Sequence, residues 1–188
     1  MIVAITGGIG SGKSVVSQVL RLLGYPVYDC DANAKRLMNE SVALRESLVK
    51  RFGTDLYRQG AFNAQYLSSI VFADQSALAD LNAIVHPAVK ADIQAWWREK
   101  GGLVFVETAI PYSSGVNQIV DKIWKVTAPT EVRVERVMAR NGMTRVQVEQ
   151  RIASQASEEV QSDKDVVIIN DGTTAVIPQI VENIKLLK

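Results

Sequence analysis

Several residue types that often announce a functional site are scarce in this chain. Among 188 residues there is one cysteine, Cys30, and one histidine, His86. A lone cysteine excludes a disulfide framework and a cysteine-based zinc centre. Cys30 also stands between Asp29 and Asp31, whose carboxylates disfavour a thiolate, so no redox role is expected of it. Charge of one sign is missing too: 21 basic against 20 acidic side chains leave a net charge of +1. That balance gives no reason to expect a nucleic acid or an acidic membrane surface as partner. No apolar run approaches the roughly 18 residues of a membrane span. The first residues lack the basic stretch and apolar block of a secretory leader, so a cytoplasmic location is expected. Repeats, low-complexity tracts and flexible linkers are absent as well, which favours a single domain over residues 1–188.

Against this plain background one segment is dense in chemistry. Gly7-Gly8-Ile9-Gly10-Ser11-Gly12-Lys13-Ser14 matches G-x-x-x-x-G-K-[ST] in full. It follows the apolar run Ile2–Ile5 and precedes an amphipathic stretch over Val15–Leu23. The context is therefore strand, loop and helix N-terminus, where backbone N–H groups and the helix dipole favour an anion. A plain strand-to-helix turn would need neither the Lys-Ser pair nor four glycines. The segment predicts binding of a nucleoside triphosphate by Gly8, Ile9, Gly10, Ser11, Gly12, Lys13, Ser14 and Val15. Lys13 would reach the β- and γ-phosphates, and Ser14 would hold Mg²⁺ through its hydroxyl.

Five short apolar, largely β-branched segments read as buried strands: Ile2–Thr6, Pro26–Asp29, Leu103–Glu107, Lys122–Thr127 and Asp165–Ile169. Helical patterns separate them. The expected architecture is α/β, a five-stranded parallel sheet with helices on both faces, of the P-loop nucleoside triphosphate hydrolase type. Thr130 is expected to cap a helix over Glu131–Arg140. Thr144 and Gln147 have capping-box spacing for a helix to about Ser157. A last helix fits Ala175–Leu187. More than seventy residues part the second and third strands, far beyond one crossover helix. Leu44–Phe52, Gln65–Phe72, Ala77–Val85 and Ala88–Glu99 read there as helices, the last two separated at Pro87. The stretch of about 32–100 is expected to be a helical, acceptor-binding insertion.

A phosphate loop leaves small-molecule kinases, GTPase switches, transport ATPases and motors open. No Asn-Lys-x-Asp guanine reader occurs, and the length leaves no room for a second nucleotide-binding domain. Acidic groups stand at strand ends: Asp29 and Asp31 after the second strand, Glu107 after the third. In α/β sheets ligands bind beyond those ends. Carboxylates there can hold a metal through water or accept a proton from an attacking hydroxyl. Arg133, Arg136 and Arg140 are spaced to share a helix face, and Arg145 follows the Asn141-Gly142 break. This helix–break–helix over about 131–158 resembles the lid of nucleotide and nucleoside kinases. Arg136 and Arg140 are the expected clamps on the transferring phosphoryl group, and Arg133 and Arg145 are set aside. The alternative is a fixed hairpin whose arginines pair with Glu135, Glu149, Glu158 or Glu159.

Thr6–Ser14, Asp29-Cys30-Asp31, Phe52-Gly53, Val71-Phe72, Leu81-Asn82-Ala83-Ile84-Val85-His86-Pro87 and Ile169-Asn170-Asp171-Gly172 occur in that order. In this order and over nearly the whole chain the sequence resembles the dephospho-coenzyme A kinase family. That resemblance implies transfer of the γ-phosphoryl group of ATP to the ribose 3′-hydroxyl of dephospho-coenzyme A, the last step of coenzyme A synthesis. It also implies that Asp31 is the general base, with Lys13, Arg136 and Arg140 stabilising charge. Asp29, Lys35, His86 and Glu107 are the further candidates for acceptor binding, His86 more for shape than for proton transfer. The chain departs from the family pattern at Val15, at Ala64 and over Val106–Tyr112, which forms the expected acceptor wall. A nucleoside or nucleoside monophosphate kinase would share sheet, loop and lid. A nucleotide-dependent switch would bind a protein partner without transfer chemistry. Oligomeric state stays open.

Overall fold

The computed structural model describes residues 1–158, 160 and 162–187, so Glu159 lies outside the described residues. These residues divide into two compact units, 1–29 with 97–188 and 30–96.

The first unit is built on a parallel sheet. Its strands are β1 (Ile2–Thr6), β2 (Val27–Asp29), β5 (Val104–Glu107), β6 (Lys122–Thr127) and β7 (Asp165–Ile169), in the order β2-β5-β1-β6-β7. Alternate residues of the strands, Val3, Ile5, Phe105, Trp124, Val126 and Ile168, form one core with Val16 and Leu20 of α1 (Lys13–Leu22) and Ile180 and Ile184 of α8 (Val176–Lys185). The residues between them, Ile2, Ala4, Val104, Val106 and Ile123, are equally buried. Both faces are thus covered at β1, β5 and β6, which is why these strands read as continuous apolar runs rather than as alternation; at the edge strand β7, Val167 and Ile169 are exposed. The helices of the expected lid are α6 (Thr130–Asn141) and α7 (Arg145–Ser154). Gly142 caps α6 in the left-handed conformation, φ 64°, and Thr144 and Gln147 make the expected capping box on α7. Thr130 is the first residue of α6 rather than its cap; Pro129 stands at the cap position with no side-chain hydrogen bond. α7 ends at Ser154, and the expected run to Ser157 tightens into a 3₁₀ turn over Ala156–Glu158.

The second unit holds α2 (Cys30–Glu40), α3 (Val42–Phe52), the hairpin β3 (Tyr57–Arg58) and β4 (Ala61–Phe62), α4 (Ala64–Val71) and most of α5 (Gln75–Lys100). The hairpin is an addition to the expected all-helical insertion. Its two-residue loop has φ of 51° at Gln59 and 83° at Gly60, positive at both positions as a tight hairpin requires. The expected break at Pro87 does not occur. α5 runs 26 residues through it, with Ala77, Val85, Val89 and Ile93 buried on one side. The interior proline costs roughly 3 kcal/mol. Burial of a Val or Ile side chain contributes about 1.5–3 kcal/mol each, so a continuous stripe on both sides of Pro87 outweighs the defect.

Candidate active site

The order of the sheet changes direction between β1 and β5, the place where an open α/β sheet forms its ligand crevice. β1 delivers the chain to the Gly7–Ser14 loop. Gly10 takes φ 79° and Gly12 φ 95°, backbone angles that side chains other than glycine rarely adopt. At Gly10 a Cβ would lie 2.6 Å from the carbonyl oxygen of Arg133, and at Gly12 it would overlap the amide of Asn170. The glycines are therefore demanded as much by what packs against the loop as by what it would bind. Lys13 and Ser14 open α1, where the first N–H groups have no intrahelical partner. Lys13 Nζ donates to Gly7 O at 2.7 Å, which lays its ammonium over the loop. Ser14 and Val15 are exposed on the first turn.

Three elements hold this loop. From α6, Arg133 is buried and donates Nε to Ile9 O at 2.9 Å, with its guanidinium against Gly8. Arg136 donates Nη1 to Asn170 O at 2.9 Å and to Gly10 O at 3.4 Å. Past β7, the buried Asn170 donates Nδ2 to Ser11 O at 2.9 Å. From the end of α7, Gln155 Oε1 accepts from Ile9 N at 2.7 Å. The side chain of Ile9 packs with Met143 and Ile152 onto Val134, Val137 and Val148 of the two lid helices. Beside the loop lies a cavity of about 270 Å³, bordered by Gly7, Gly8, Ser11, Lys125, Arg133 and Gln155 among others. Ser11 lines it, and its Oγ is buried without a hydrogen bond among the described residues.

Arg133, set aside as a solvated basic residue, is thus the arginine most intimately placed on the phosphate loop. Arg140 is exposed and bonds its neighbour Asn141 at 2.8 Å. Helix geometry explains the exchange: Arg140 shares the face of Arg133 but lies about 10 Å further along the axis. Arg145 pairs with Glu131 at 2.8 Å and Glu149 at 3.3 Å on the surface. Those bonds hold the Arg145 guanidinium above its usual pKa and the Glu131 carboxyl below its own. Glu158 is engaged elsewhere: its buried carboxylate accepts from the N–H of Tyr112 and Ser113, and from the Ser113 hydroxyl. Tyr112 donates to Asp165 at 3.3 Å, and burial first, then the Asp165 charge, raises its pKa. Gln155, Asn170 and Glu158 were not among the expected site residues; Asn170 stands in the Ile169-Asn170-Asp171-Gly172 piece of the family pattern, the one signal that could have found it, whereas Gln155 lies in no such piece.

The carboxylates fall at the expected edge. Asp29 and Glu107 are register partners at the carboxyl ends of β2 and β5. Thr108 N, next along, donates to Ile5 O at 3.0 Å. Asp31 is exposed in the first turn of α2, with Lys35 one turn on, and His86 is half-buried on α5. Trp96 and Trp97 are both half-buried, and Trp97 Nε1 donates to Gly102 O.

Comparison with known proteins bears on the whole chain. A family model described as dephospho-CoA kinase matches residues 1–176. The dephospho-CoA kinase of Porphyromonas gingivalis is 39% identical over 189 residues, covering 99% of this chain and 94% of that one. The crystal structure of TT1252 from Thermus thermophilus superposes with a TM-score of 0.79 at 32% identity, covering 100% of this chain and 95% of the other. A dephospho-CoA kinase from Campylobacter jejuni shares the fold, with a TM-score of 0.72 at 23% identity over 99% of this chain and 96% of its own. With a phosphate loop held by arginines of α6 at the sheet's switch point, and with relatives matched over nearly their whole length, the chain belongs to the dephospho-CoA kinase family.

Proposed function

We propose that the chain transfers the γ-phosphoryl group of ATP to the ribose 3′-hydroxyl of dephospho-CoA, giving CoA and ADP. The observation that carries this reading is the Gly7–Ser14 loop, with Arg133 and Arg136 hydrogen-bonded onto it, in a chain of this family. ATP phosphates lie on the amides at the start of α1, with Lys13 as their cation. Charge developing on the transferring group is stabilised by Lys13, Arg133 and Arg136. Arg140 contributes only when the corner at Arg140–Gly142 moves toward the loop. Asp31 accepts the proton of the attacking hydroxyl, and Asp29, Lys35, His86 and Glu107 serve the acceptor. No three His, Cys, Asp or Glu gather as metal ligands among the described residues. The exposed Ser14 hydroxyl on the first turn of α1 is the group that would hold Mg²⁺ carried by the nucleotide phosphates, where it would neutralise phosphate charge. No described helix is long and apolar enough to cross a membrane.

The deciding experiment is a coupled assay of ADP formation with dephospho-CoA set against common nucleosides and nucleotides. ADP release stimulated by dephospho-CoA alone is the expected result. Stimulation by a nucleoside monophosphate instead would transfer the chain to the rival kinase class, and release indifferent to every acceptor would favour a switch. General-base assistance contributes ~10²–10⁴-fold, so Asp31→Asn is expected to lose that factor in kcat with ATP binding preserved. Turnover above half that of the wild type would remove Asp31 from the role.

A further inference from the structure

Ile9 is the only residue among Gly7, Gly8, Ile9 and Gly10 with a side chain, so it alone can anchor the first half of the phosphate loop. The structure holds it in three ways, each from the lid. Its side chain enters the cluster of Val134, Val137 and Val148. Its carbonyl accepts from Arg133 Nε at 2.9 Å, and its N–H donates to Gln155 Oε1 at 2.7 Å. The carboxamide is delivered with little freedom. Gln155 terminates α7, with its N–H bonded to Ile152 O, and its own carbonyl accepts from Glu158 N at 3.0 Å. Glu158 is in turn tied to the N–H groups of Tyr112 and Ser113 in the segment after β5.

We propose that Gln155 is a positioning residue for phosphoryl transfer, acting through the Ile9 N–H. Both ends of the Ile9 residue are clamped between Gln155 and Arg133, which fixes the backbone that leads into Gly10–Ser14. The amides of that second half face the phosphates, and their aim depends on the peptide planes before them. Glycines on either side would otherwise let the segment swing. The base of the lid and the shape of the phosphate loop are therefore one mechanical unit, in which the Gln155 amide is the acceptor for the Ile9 N–H. For the reaction it serves, this inference rests on the family reading above.

The test uses Gln155→Met, which keeps length and removes the acceptor, and Gln155→Glu, which keeps an acceptor oxygen at the same reach. The first readout is amide exchange of Ile9 in the ligand-free protein, which needs no acceptor substrate. Loss of a bond of this kind changes an opening equilibrium about tenfold, so Ile9 exchange in Gln155→Met is expected to rise by about that factor. In Gln155→Glu it should stay near wild type. The second readout is kcat with KM for each substrate. Gln155→Met is expected to lose about tenfold or more in kcat with KM for dephospho-CoA within twofold, since a slightly misplaced loop costs turnover before binding. Gln155→Glu should turn over faster than Gln155→Met. Unchanged Ile9 exchange in Gln155→Met overturns the proposal. So does a Gln155→Glu enzyme slower than Gln155→Met, because a carboxylate harms most where the native amide touches phosphate directly. A Gln155→Met chain that does not fold makes the residue a structural prop and overturns it as well. Failure of the acceptor assignment is distinguishable, since the wild type would then be idle on dephospho-CoA while the Ile9 exchange difference persists.

Discussion

At the scale of single residues, the phosphate loop shows two kinds of requirement on neighbouring positions. Lys13 answers to the ligand: it belongs to the loop and the first turn of α1, and it is not among the core residues of the sheet. Lys13→Ala is expected to lower transfer by ~10²–10³-fold, the scale of losing one charge-stabilising group in a sheltered site. The circular dichroism spectrum should not change, and loss of folded signal would give Lys13 a structural role instead. Gly10 answers to the protein. With φ at 79° and the Arg133 carbonyl 2.6 Å from a would-be Cβ, Gly10→Ala meets strain and backbone together. About 1–3 kcal/mol of stability is expected to be lost, measured by urea unfolding. A loss below half a kcal/mol would show that α6 yields at this point.

At the scale of elements, the lid was expected to close upon binding both substrates. α6 already touches the loop through Arg133, Arg136 and the Ile9 cluster. The surface pairs of Arg145 with Glu131 and Glu149 are solvent-exposed and screened, so they hold little. Closure is therefore expected at the corner between α6 and α7, where Gly142 has a left-handed φ, rather than as a swing of the whole pair. Amide exchange should find Arg133–Val137 slow without ligand. Added protection with an ATP analogue and dephospho-CoA together should concentrate over Arg140–Arg145. Fast exchange across all of α6 in the free protein would mean that the lid does swing as a body.

At the scale of the whole molecule, charge is balanced and pH acts through particular groups. Tyr112 has its pKa raised by burial and by Asp165. An unfolded tyrosine ionises near 10. Between that value and the higher folded one the native state keeps a proton that the unfolded state has lost. Stability contributed by this group is therefore present below about pH 10 and is lost as pH rises beyond it. Tyr112→Phe is expected to flatten the alkaline fall in melting temperature between about pH 9 and 11. An identical alkaline slope in the variant would place the titrating group elsewhere. Asp171 carries the opposite tendency on the surface: backbone N–H groups of Thr174 and Thr173 hold its carboxyl far below the usual range.

The sequence by itself determined the sheet, the phosphate loop and the family. β1, β6 and β7 have the bounds read from their apolar runs, and the loop needs only local spacing of glycines, Lys13 and Ser14. Such features are written in neighbouring residues, which is why periodicity and motif suffice. The capping box of Thr144 and Gln147 is local in the same sense. The continuous α5 is not, because the penalty at Pro87 is visible in sequence while the buried stripe that offsets it is a tertiary quantity. Nor is the ranking of the arginines. Spacing places Arg133, Arg136 and Arg140 on one helix face, but only the packing of Ile9 decides which of them meets the loop. Gln155 and Asn170 reach that loop across 146 and 159 residues of chain. A hydrogen bond of that span leaves no local pattern, so only the folded chain could reveal it.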